Sequence, residues 1–418
     1  MQIRSLVPLL ASAGILLGGN GLLGTLVAVR AHQEGFSDPL IGLLGSGYFL
    51  GYFAGSLFTA ALIARAGHIR VFAALSALSA IIVLTMVLMV DPVVWLAARA
   101  FGGFCFSGIS MVIESWLNER AASEDRARVL SLYRIVDLAS VTGGQFLLPL
   151  FGPNSFAIFA VCAILFAAAL IPVSLSRLSD PAPPATTRLR PARIWAVSPV
   201  ACVGCVTLGL TNGAFRSVGG PLYAQGMGLD VDGVALFMSL GIFGGAICQY
   251  PLGWLSDRVD RRFALLLATG GAAGASLLLS TLSPDVPTLI FAGGLLFGSF
   301  AMPLYSLSVA HANDFAEPGT YVELAAGLTL FYALGASVGP LIASFLIGAF
   351  GSPAFFLYTA CLHGSLLVFV VFRMTRRAPV PAPLRERFVG LLRTSPALFR
   401  LARPARPQSR TGSPDPKP

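Results

Sequence analysis

The sequence predicts an all-α protein that crosses a membrane twelve times, built from two similar halves of six helices. Three observations predict this fold class. Of the 418 residues, 56% are hydrophobic and only 11% are charged, whereas soluble proteins carry about 25% charged residues. Apolar stretches of the roughly 20 residues that a helix needs to cross a bilayer recur along the chain. Short motifs of the first half also recur in the second half.

Twelve apolar stretches, separated by prolines, glycines and charged residues, predict the spans. Three of them start near Pro39, Pro92 or Pro153, and proline is tolerated in the first turn of a helix. The first stretch is long enough to be a permanent span rather than a cleaved signal peptide. The predicted spans cover residues 6–29, 39–64, 70–90, 93–117, 127–150, 154–177, 196–220, 231–255, 263–283, 286–310, 321–349 and 352–374.

One long polar linker divides these spans into two halves. We therefore expect an N-terminal half over residues 1–177, a cytoplasmic linker over 178–194, a C-terminal half over 195–374 and a basic tail over 375–418. Within the tail, residues 384–393 place apolar side chains on one face and arginines on the other, which predicts a short helix lying on anionic lipid. The end of the tail has a disordered composition, and disorder throughout the tail is the alternative.

The arginines indicate the direction of the spans. If the N-terminus is inside, almost all loop arginines are cytoplasmic, and the outer loops hold acidic residues and only Arg30. Cytoplasmic loops of membrane proteins carry this excess of positive charge. We therefore expect a bacterial inner-membrane protein with both termini in the cytoplasm. The same bias accounts for the net charge of +9 without a nucleic-acid partner.

Three pairs of motifs recur at similar offsets and in the same order of spans. With both termini on one side, such a repeat predicts two parallel halves related by an axis along the membrane normal, with the substrate site between them near the midplane. The pairs are N-G at residues 20 and 212, M-x-x-x-S at 111 and 302, and S-V-T-G-G at 140 against S-V-G-P at 337.

The loop after the eighth predicted span carries the motif that indicates a family. G-W-L-S-D-R-V-D-R-R, residues 253–262, resembles the G-x-L-x-D-R-x-x-R-R loop of the major facilitator superfamily, and it follows the second span of a six-span half, as in that family. The resemblance covers nearly the whole chain. It implies the twelve-helix fold, a transporter rather than an enzyme, and a small-molecule substrate.

The resemblance also implies that this loop latches the two halves together on the cytoplasmic side. Asp257 would lie near the start of the fifth span, where the helix dipole favours a carboxylate. A positively charged turn without a latch is the alternative. The first-half loop has Ala64 where an Asp is expected, so the latch would be asymmetric. The latch residues are Asp257, Arg258, Arg261 and Arg262, with Arg126 or Arg128 as partner of Asp257.

Two further stretches resemble particular groups within the superfamily. R-A-F-G-G, residues 99–103, resembles the R-x-x-x-G element of the superfamily's proton-coupled exporters. I-E-S-W-L-N-E-R-A at 113–121, with the Y-R-I-V-D segment from 133, is most similar to the YcaD-like branch of bacterial transporters. That branch implies no particular substrate.

Ionisable residues inside the spans are the candidates for coupling and gating, because a charge at bilayer depth is costly and usually faces protein or a watery cavity. Arg134 and Asp137 share one face of the fifth span, either as a coupling switch or as a permanent ion pair. Glu114 lies near the inner end of the fourth span and corresponds to Tyr305 in the repeat. It is either a gate or proton exit near Arg134, or a solvated charge at the interface.

Five residues are candidates for the substrate cavity. Arg99 and Arg216 either reach to water at the outer side or bind an anionic substrate. Asn20 and Asn212 fall in the first and seventh spans, which line the cavity of the family, and they contact substrate or bond neighbouring helices. Tyr305 belongs to the same candidate set.

The remaining polar and aromatic side chains have ordinary expected roles. His311 and Asp314 should be solvated at the inner surface, and His363 structural. Aromatic residues at the ends of spans predict interface anchors; they include Tyr48, Trp95, Trp116, Trp195 and Trp254. The six cysteines all lie in apolar runs, so we expect no disulfide, metal or cofactor.

The sequence therefore predicts a secondary transporter that works by alternating access as a monomer, coupled to protons, with export as the preferred direction. A facilitator or importer of a small anionic or neutral metabolite is the alternative, and a receptor or membrane enzyme is the remote one. The chain carries no P-loop pattern, which argues against direct use of ATP.

Overall fold

The computed structural model describes residues 6–120, 126–175, 190–317 and 320–381, together with residues 385 and 388. All regular structure in these ranges is helical, as the sequence predicts. The helices of the first half are α1 Val7–Gln33, α2 Asp38–Ala66, α3 His68–Leu88, α4 Pro92–Arg120, α5 Arg126–Gln145, α6 Leu147–Phe151, α7 Phe156–Ala168 and α8 Leu170–Ser174.

The second half repeats this order, with a break in its first span. Between α10 and α11 the chain is π-helical over Gly209–Gly213 and Phe215–Gly219. π-helical turns are rare and are frequently found at functional sites. The helices of this half are α9 Pro191–Val197, α10 Pro199–Leu208, α11 Gly220–Gly226, α12 Val231–Arg258, α13 Arg261–Thr281, α14 Pro287–Ala301, α15 Leu304–Asn313, α16 Tyr321–Phe350 and α17 Ala354–Arg376.

Length and composition qualify most of these helices as membrane spans. Within the described ranges, ten helical stretches are long and apolar enough, and an eleventh is added if α9 and the α10–α11 segment, bent by 113°, are counted as one span. The remaining predicted span is α5, in which every stretch of membrane length includes Arg128, Arg134 and Asp137. Because of these charges, α5 is not among the helices that are apolar enough to count as membrane spans.

Turns in the two halves use the same device at matching places. Gly35 and Gly228, 193 residues apart, follow the first and seventh spans with φ of 76° and 75°. Glycine has no Cβ and adopts this left-handed backbone without strain. Successive spans joined by such short turns alternate in direction. We call the end of the bundle where α1 begins the terminal face, and the end with the α1–α2 turn the distal face.

The two halves meet through close contacts of small residues. At the distal face, α2 packs on α16, where a Cβ added to Gly45 would lie 2.9 Å from the Cβ of Pro340. The α5–α12 and α1–α11 pairs also join the halves. Small residues allow helix backbones to approach in a membrane, where there is no hydrophobic force between helices. The contacts leave room for a cavity further along these helices.

The linker and tail are described only in part. Residues 176–189 lie outside the described residues, and the end of the predicted linker forms α9, where Arg193 bonds Glu317 at 2.8 Å. Of the predicted tail helix only Arg385 and Phe388 are described. Arg385 Nη1 donates to the Val259 carbonyl at 2.6 Å, and the rest of that helix lies outside the described residues.

Candidate functional site

A cavity of about 160 Å³ lies between the two halves. Side chains of α1, α2, α4 and α5 line it from the first half, and side chains of the π-helical segment, α12, α15 and α16 line it from the second. Its walls combine charged, amide and aromatic side chains. The cavity thus has the place and the chemistry of a binding site for a small molecule.

Six aromatic side chains form a continuous chain across the cavity, which we call the aromatic arc. Neighbouring ring centroids along it are 5.4–6.5 Å apart, within the range of favourable aromatic pairs. The arc passes from α4 through α2 to α16 and α15, so it bridges the halves. Its members in order are Phe106, Tyr52, Tyr48, Phe49, Tyr332 and Tyr305.

Arg99 is a cavity residue held by the packing of α2 on α4. Its side chain is only 4% exposed, and Cζ lies 4.4 Å from the centroid of the Tyr48 ring. The two helices can approach closely because Gly51 and Gly103 have no Cβ. A Cβ on Gly51 would overlap the Ala100 carbonyl oxygen, and a Cβ on Gly103 would overlap the Tyr48 carbonyl oxygen. Arg99 therefore faces the cavity and does not extend to the end of the bundle.

The predicted pair on α5 is formed and reaches the other half. Arg134 Nη1 is 3.1 Å from Asp137 Oδ2, and Arg134 Nη2 donates to Gln249 Oε1 on α12 at 2.6 Å. Gln249 in turn donates to Ser306 Oγ at 3.1 Å. Arg134, Asp137 and Gln249 all line the cavity. An ionisable carboxylate is thus linked through one arginine to the opposite half.

The other predicted cavity residues divide into two groups. Asn20, Arg216 and Tyr305 line the cavity, and Asn20 Oδ1 accepts a bond from the Tyr48 hydroxyl at 3.1 Å. Asn212 is fully buried and is absent from the lining. Its Nδ2 lies 2.9 Å from Met302 Sδ, which makes it a bridge between helices in this structure.

Glu114 is fully buried, so it is not a solvated interfacial charge. The Tyr133 hydroxyl donates to its Oε1 at 3.3 Å. Glu114 does not line the cavity, and its partner Tyr133 is also buried. The carboxylate therefore lies behind the cavity wall.

The described contacts of the predicted latch loop are with the second half and the tail. Asp257 Oδ1 accepts from the Phe388 backbone N–H at 2.8 Å and lies 3.3 Å from Arg261 Nη2. Arg258 stacks on Trp254, at 3.9 Å from the ring centroid. The side chains of Arg126 and Arg128 lie outside the described residues.

Arg262 controls the acidity of a carboxylate in the same turn. It bonds both carboxylate oxygens of Asp260, with 2.6 Å from Nη2 to Oδ2. Burial raises the pKa of Asp260, but the bonds from Arg262 outweigh burial and hold the pKa below its ordinary value of 3.8. A charged Asp260 therefore helps to fix this turn, as does the bond from Arg262 to the Arg377 carbonyl at 2.7 Å.

Several expectations for individual side chains are wrong. His311 is buried rather than solvated. The side chain of Asp314 is only 3% exposed, and it forms an ion pair of 2.6 Å with the buried Arg261. Trp95 and Trp116 are fully buried in the helix packing and are not interface anchors.

Tyr48 is the correction that matters for function, since it belongs to the aromatic arc and not to an interface belt. Gln249 was not singled out by sequence, although a lone amide inside an apolar span is a usable signal. Within the described part of the chain, no group of three or more His, Cys, Asp or Glu side chains could hold a metal ion.

Comparison with known proteins places this geometry among transporters. The sequence model of the Major Facilitator Superfamily matches residues 9–285 and again residues 201–407. Two curated relatives are uncharacterized MFS-type transporters. One, of Enterobacter sp., is 24% identical over 90% of this chain and 98% of its own length. The other, YcaD of Escherichia coli, is 25% identical over 91% and 98%.

Solved structures agree on the fold. The nucleoside transporter NupG matches with a TM-score of 0.75 and 13% identity, over 90% of this chain and all of the NupG chain. A bacterial homolog of the human lysosomal transporter Spinster, in an inward-facing and occupied conformation, matches with a TM-score of 0.68 and 16% identity, over 92% and 99%.

Proposed function

The chain is a member of the major facilitator superfamily, and from that premise we propose that it moves a small organic solute across the membrane by alternating access, coupled to protons and in the direction of export. As a transporter of this superfamily it is an integral membrane protein and makes no covalent change in its substrate. The cavity between the halves, with Arg134 and Asp137 on its wall, is the observation that carries the proposal.

Alternating access requires a site that the two halves expose to one side at a time. The packing of α2 on α16 at the distal face supports a state in which that face is closed. The arginine-rich loops support a cytoplasmic terminal face. Solute and proton would then shift the populations of the two states by binding one more tightly than the other.

Proton coupling would operate through the charge of Asp137. With Asp137 ionised, Arg134 is held between its own helix and Gln249 of the other half. Protonation would remove the charge that orients Arg134, and so loosen its bond to Gln249. A single proton would thus alter the contact between the halves.

Import of a small anion is the second candidate, and one observation favours it. The lining holds three arginines, Arg99, Arg134 and Arg216, and one acid, Asp137. Export rests on the resemblance of R-A-F-G-G to the element of proton-coupled exporters. The direction of transport depends on the gradients of solute and proton across the membrane, whereas the charge of the cavity favours one charge of solute.

Counterflow in proteoliposomes tests the proposal. Purified protein is reconstituted with a panel of labelled small organic solutes of positive, neutral and negative charge, with and without a pH gradient. We expect exchange of one class and a faster net flux when the gradient is imposed. Exchange that ignores the gradient contradicts proton coupling, and no exchange with any class contradicts transport.

A further inference from the structure

We propose that the solute bound in this cavity is a small organic anion with a planar apolar body, of the aromatic carboxylate class, and that Arg99 holds its charged group. The inference rests on the proposed function for its meaning in transport, but it concerns binding alone. Three properties of the cavity lead to it: the sign of its charge, the situation of Arg99, and the aromatic arc beside that arginine.

The lining carries an excess of positive charge. Asp137 is taken up by Arg134, at 3.1 Å, so this pair is close to neutral. The lining holds three arginines and this one acid, so its formal charge is positive. A positively charged cavity attracts an anion and repels a cation.

Arg99 is the better candidate for direct contact with the anion. It is 96% buried, since its exposed fraction is 4%. Among the described residues no carboxylate lies within ion-pair distance of it, and its Nε is buried without a hydrogen-bond partner. The guanidinium of Arg99 makes a cation–π contact with the ring of Tyr48. A buried cation without a counter-charge is unfavourable, and a bound carboxylate would complete it with two parallel N–H···O bonds.

Neither acid near the cavity competes for this position. Asp137 is bonded to Arg134, on α5 rather than α4. Glu114 lies behind the wall and accepts from the Tyr133 hydroxyl. No carboxylate of the described residues thus pairs with Arg99.

The aromatic arc selects the body of the ligand. It passes beside Arg99 at Tyr48 and continues through Phe49 to Tyr332, whose ring centroid is 6.4 Å from that of Phe49. Flat rings stack or meet edge to face on such a surface. The cavity measures about 160 Å³, and an apolar cavity of about 150 Å³ accommodates benzene. One ring with one carboxylate therefore fits the space.

The test uses three ring compounds of the same size and different charge: benzoate, benzamide and benzylamine. The melting temperature of the detergent-solubilised protein is measured near neutral pH against the concentration of each, because a ligand that binds the native state stabilises it in proportion to its affinity. We expect benzoate to raise the melting temperature at concentrations at least about tenfold lower than benzamide, and benzylamine to have no effect.

Variants at Arg99 locate the contact. In Arg99→Gln the preference for benzoate over benzamide should disappear, a loss of about tenfold or more in benzoate affinity. Arg99→Lys should retain the preference in weaker form. The matched control is Arg65→Gln, at an exposed arginine near the end of α2, which should behave as the wild type.

The inference is overturned if benzamide or benzylamine stabilises the protein as well as benzoate does, if none of the three stabilises it, or if Arg99→Gln keeps the benzoate preference. Should Arg99→Gln fail to fold, the ranking of the three compounds on the wild type still decides. Benzoate binding without counterflow would contradict the proposed transport and leave this inference intact. Counterflow of a cationic or neutral solute without benzoate binding would do the reverse.

Discussion

Arg134 of α5 donates a hydrogen bond to Gln249 of α12, with 2.6 Å between Nη2 and Oε1. The same guanidinium contacts Asp137 of its own helix through Nη1, at 3.1 Å. One side chain therefore contacts an ionisable group in the first half and a neutral amide in the second. A change in the charge of Asp137 would act directly on a side chain that joins the two halves.

Replacing Asp137 by Asn should abolish the response of flux to a pH gradient and leave exchange in place, because the amide cannot change charge. Stability should fall by about 1–3 kcal/mol, less than for a fully buried pair, since both side chains are partly exposed to the cavity. Flux with and without the gradient is the measurement. Asp232→Asn, at an exposed acid in the first turn of α12, is the control, and a gradient response in Asp137→Asn would refute this role.

A disulfide across the distal face should trap the protein in the present state. The Cβ of Asp38 lies 3.4 Å from the position of a Cβ added to Gly348, close to the separation that a disulfide needs. The double variant Asp38→Cys, Gly348→Cys should lose counterflow under oxidation and regain it on reduction. Each single variant is the control. Undiminished flux with the bond formed would mean that these ends need not separate.

Neighbouring glycines of α4 should respond to alanine in opposite ways. Gly103→Ala inserts a methyl group against the Tyr48 backbone and should cost about 1–3 kcal/mol, with weaker benzoate binding because α4 carries Arg99. Gly102 has no atom within 4 Å of an added Cβ, so Gly102→Ala should gain up to about 1 kcal/mol from helix propensity. Melting temperatures decide, and equal shifts for the two variants would count against the close α2–α4 contact.

The buried ion pair between Arg261 and Asp314 should matter for stability. Both side chains are almost fully buried, with 2.6 Å between Nε and Oδ2. Asp314→Asn leaves a buried cation with weaker partners and should cost about 3 kcal/mol. Asp285→Asn, in an exposed turn, is the matched control. A melting temperature for Asp314→Asn equal to that of the control would show that the pair contributes nothing.

Acid should loosen the α12–α13 turn through Asp260. Its pKa in the folded protein lies below 3.8, so its contribution is complete above that value and is lost as the pH falls through the lower folded pKa. The wild type should therefore lose more stability than Asp260→Asn between neutral pH and about pH 3. Melting curves over this range test the sign, and a larger loss in the variant would contradict it.

Most of the fold was predictable because the membrane imposes it. A span needs a run of apolar residues and satisfied backbone groups, so apolar stretches locate helices well. The break in the seventh span was not predictable, because the π-helical segments Gly209–Gly213 and Phe215–Gly219 have the same apolar character as an ordinary α-helical span. The contact of α9 with Glu317 was not predictable either, because the two lie more than 100 residues apart in the chain.

The charged residues of the site could be predicted from the sequence, whereas its aromatic residues could not. Arg99, Arg134 and Asp137 stand out because charges within spans are rare. The aromatic arc does not stand out, because the chain contains 30 phenylalanines and nine tyrosines and aromatic residues also serve as anchors at the interface. Only the packing of α2 against α16 shows which of them meet.

The charged residues of α5, Arg128, Arg134 and Asp137, also bear on the synthesis of the chain. A segment with this many charges inserts poorly by itself, and Gln249 is translated 115 residues after Arg134. At about 5–20 residues per second, that partner follows roughly 6 to 23 seconds later. In the folded chain Gln145 Nε2 also donates to the carbonyl of Gly21 on α1 at 3.0 Å. That bond joins two helices that are both translated before α12.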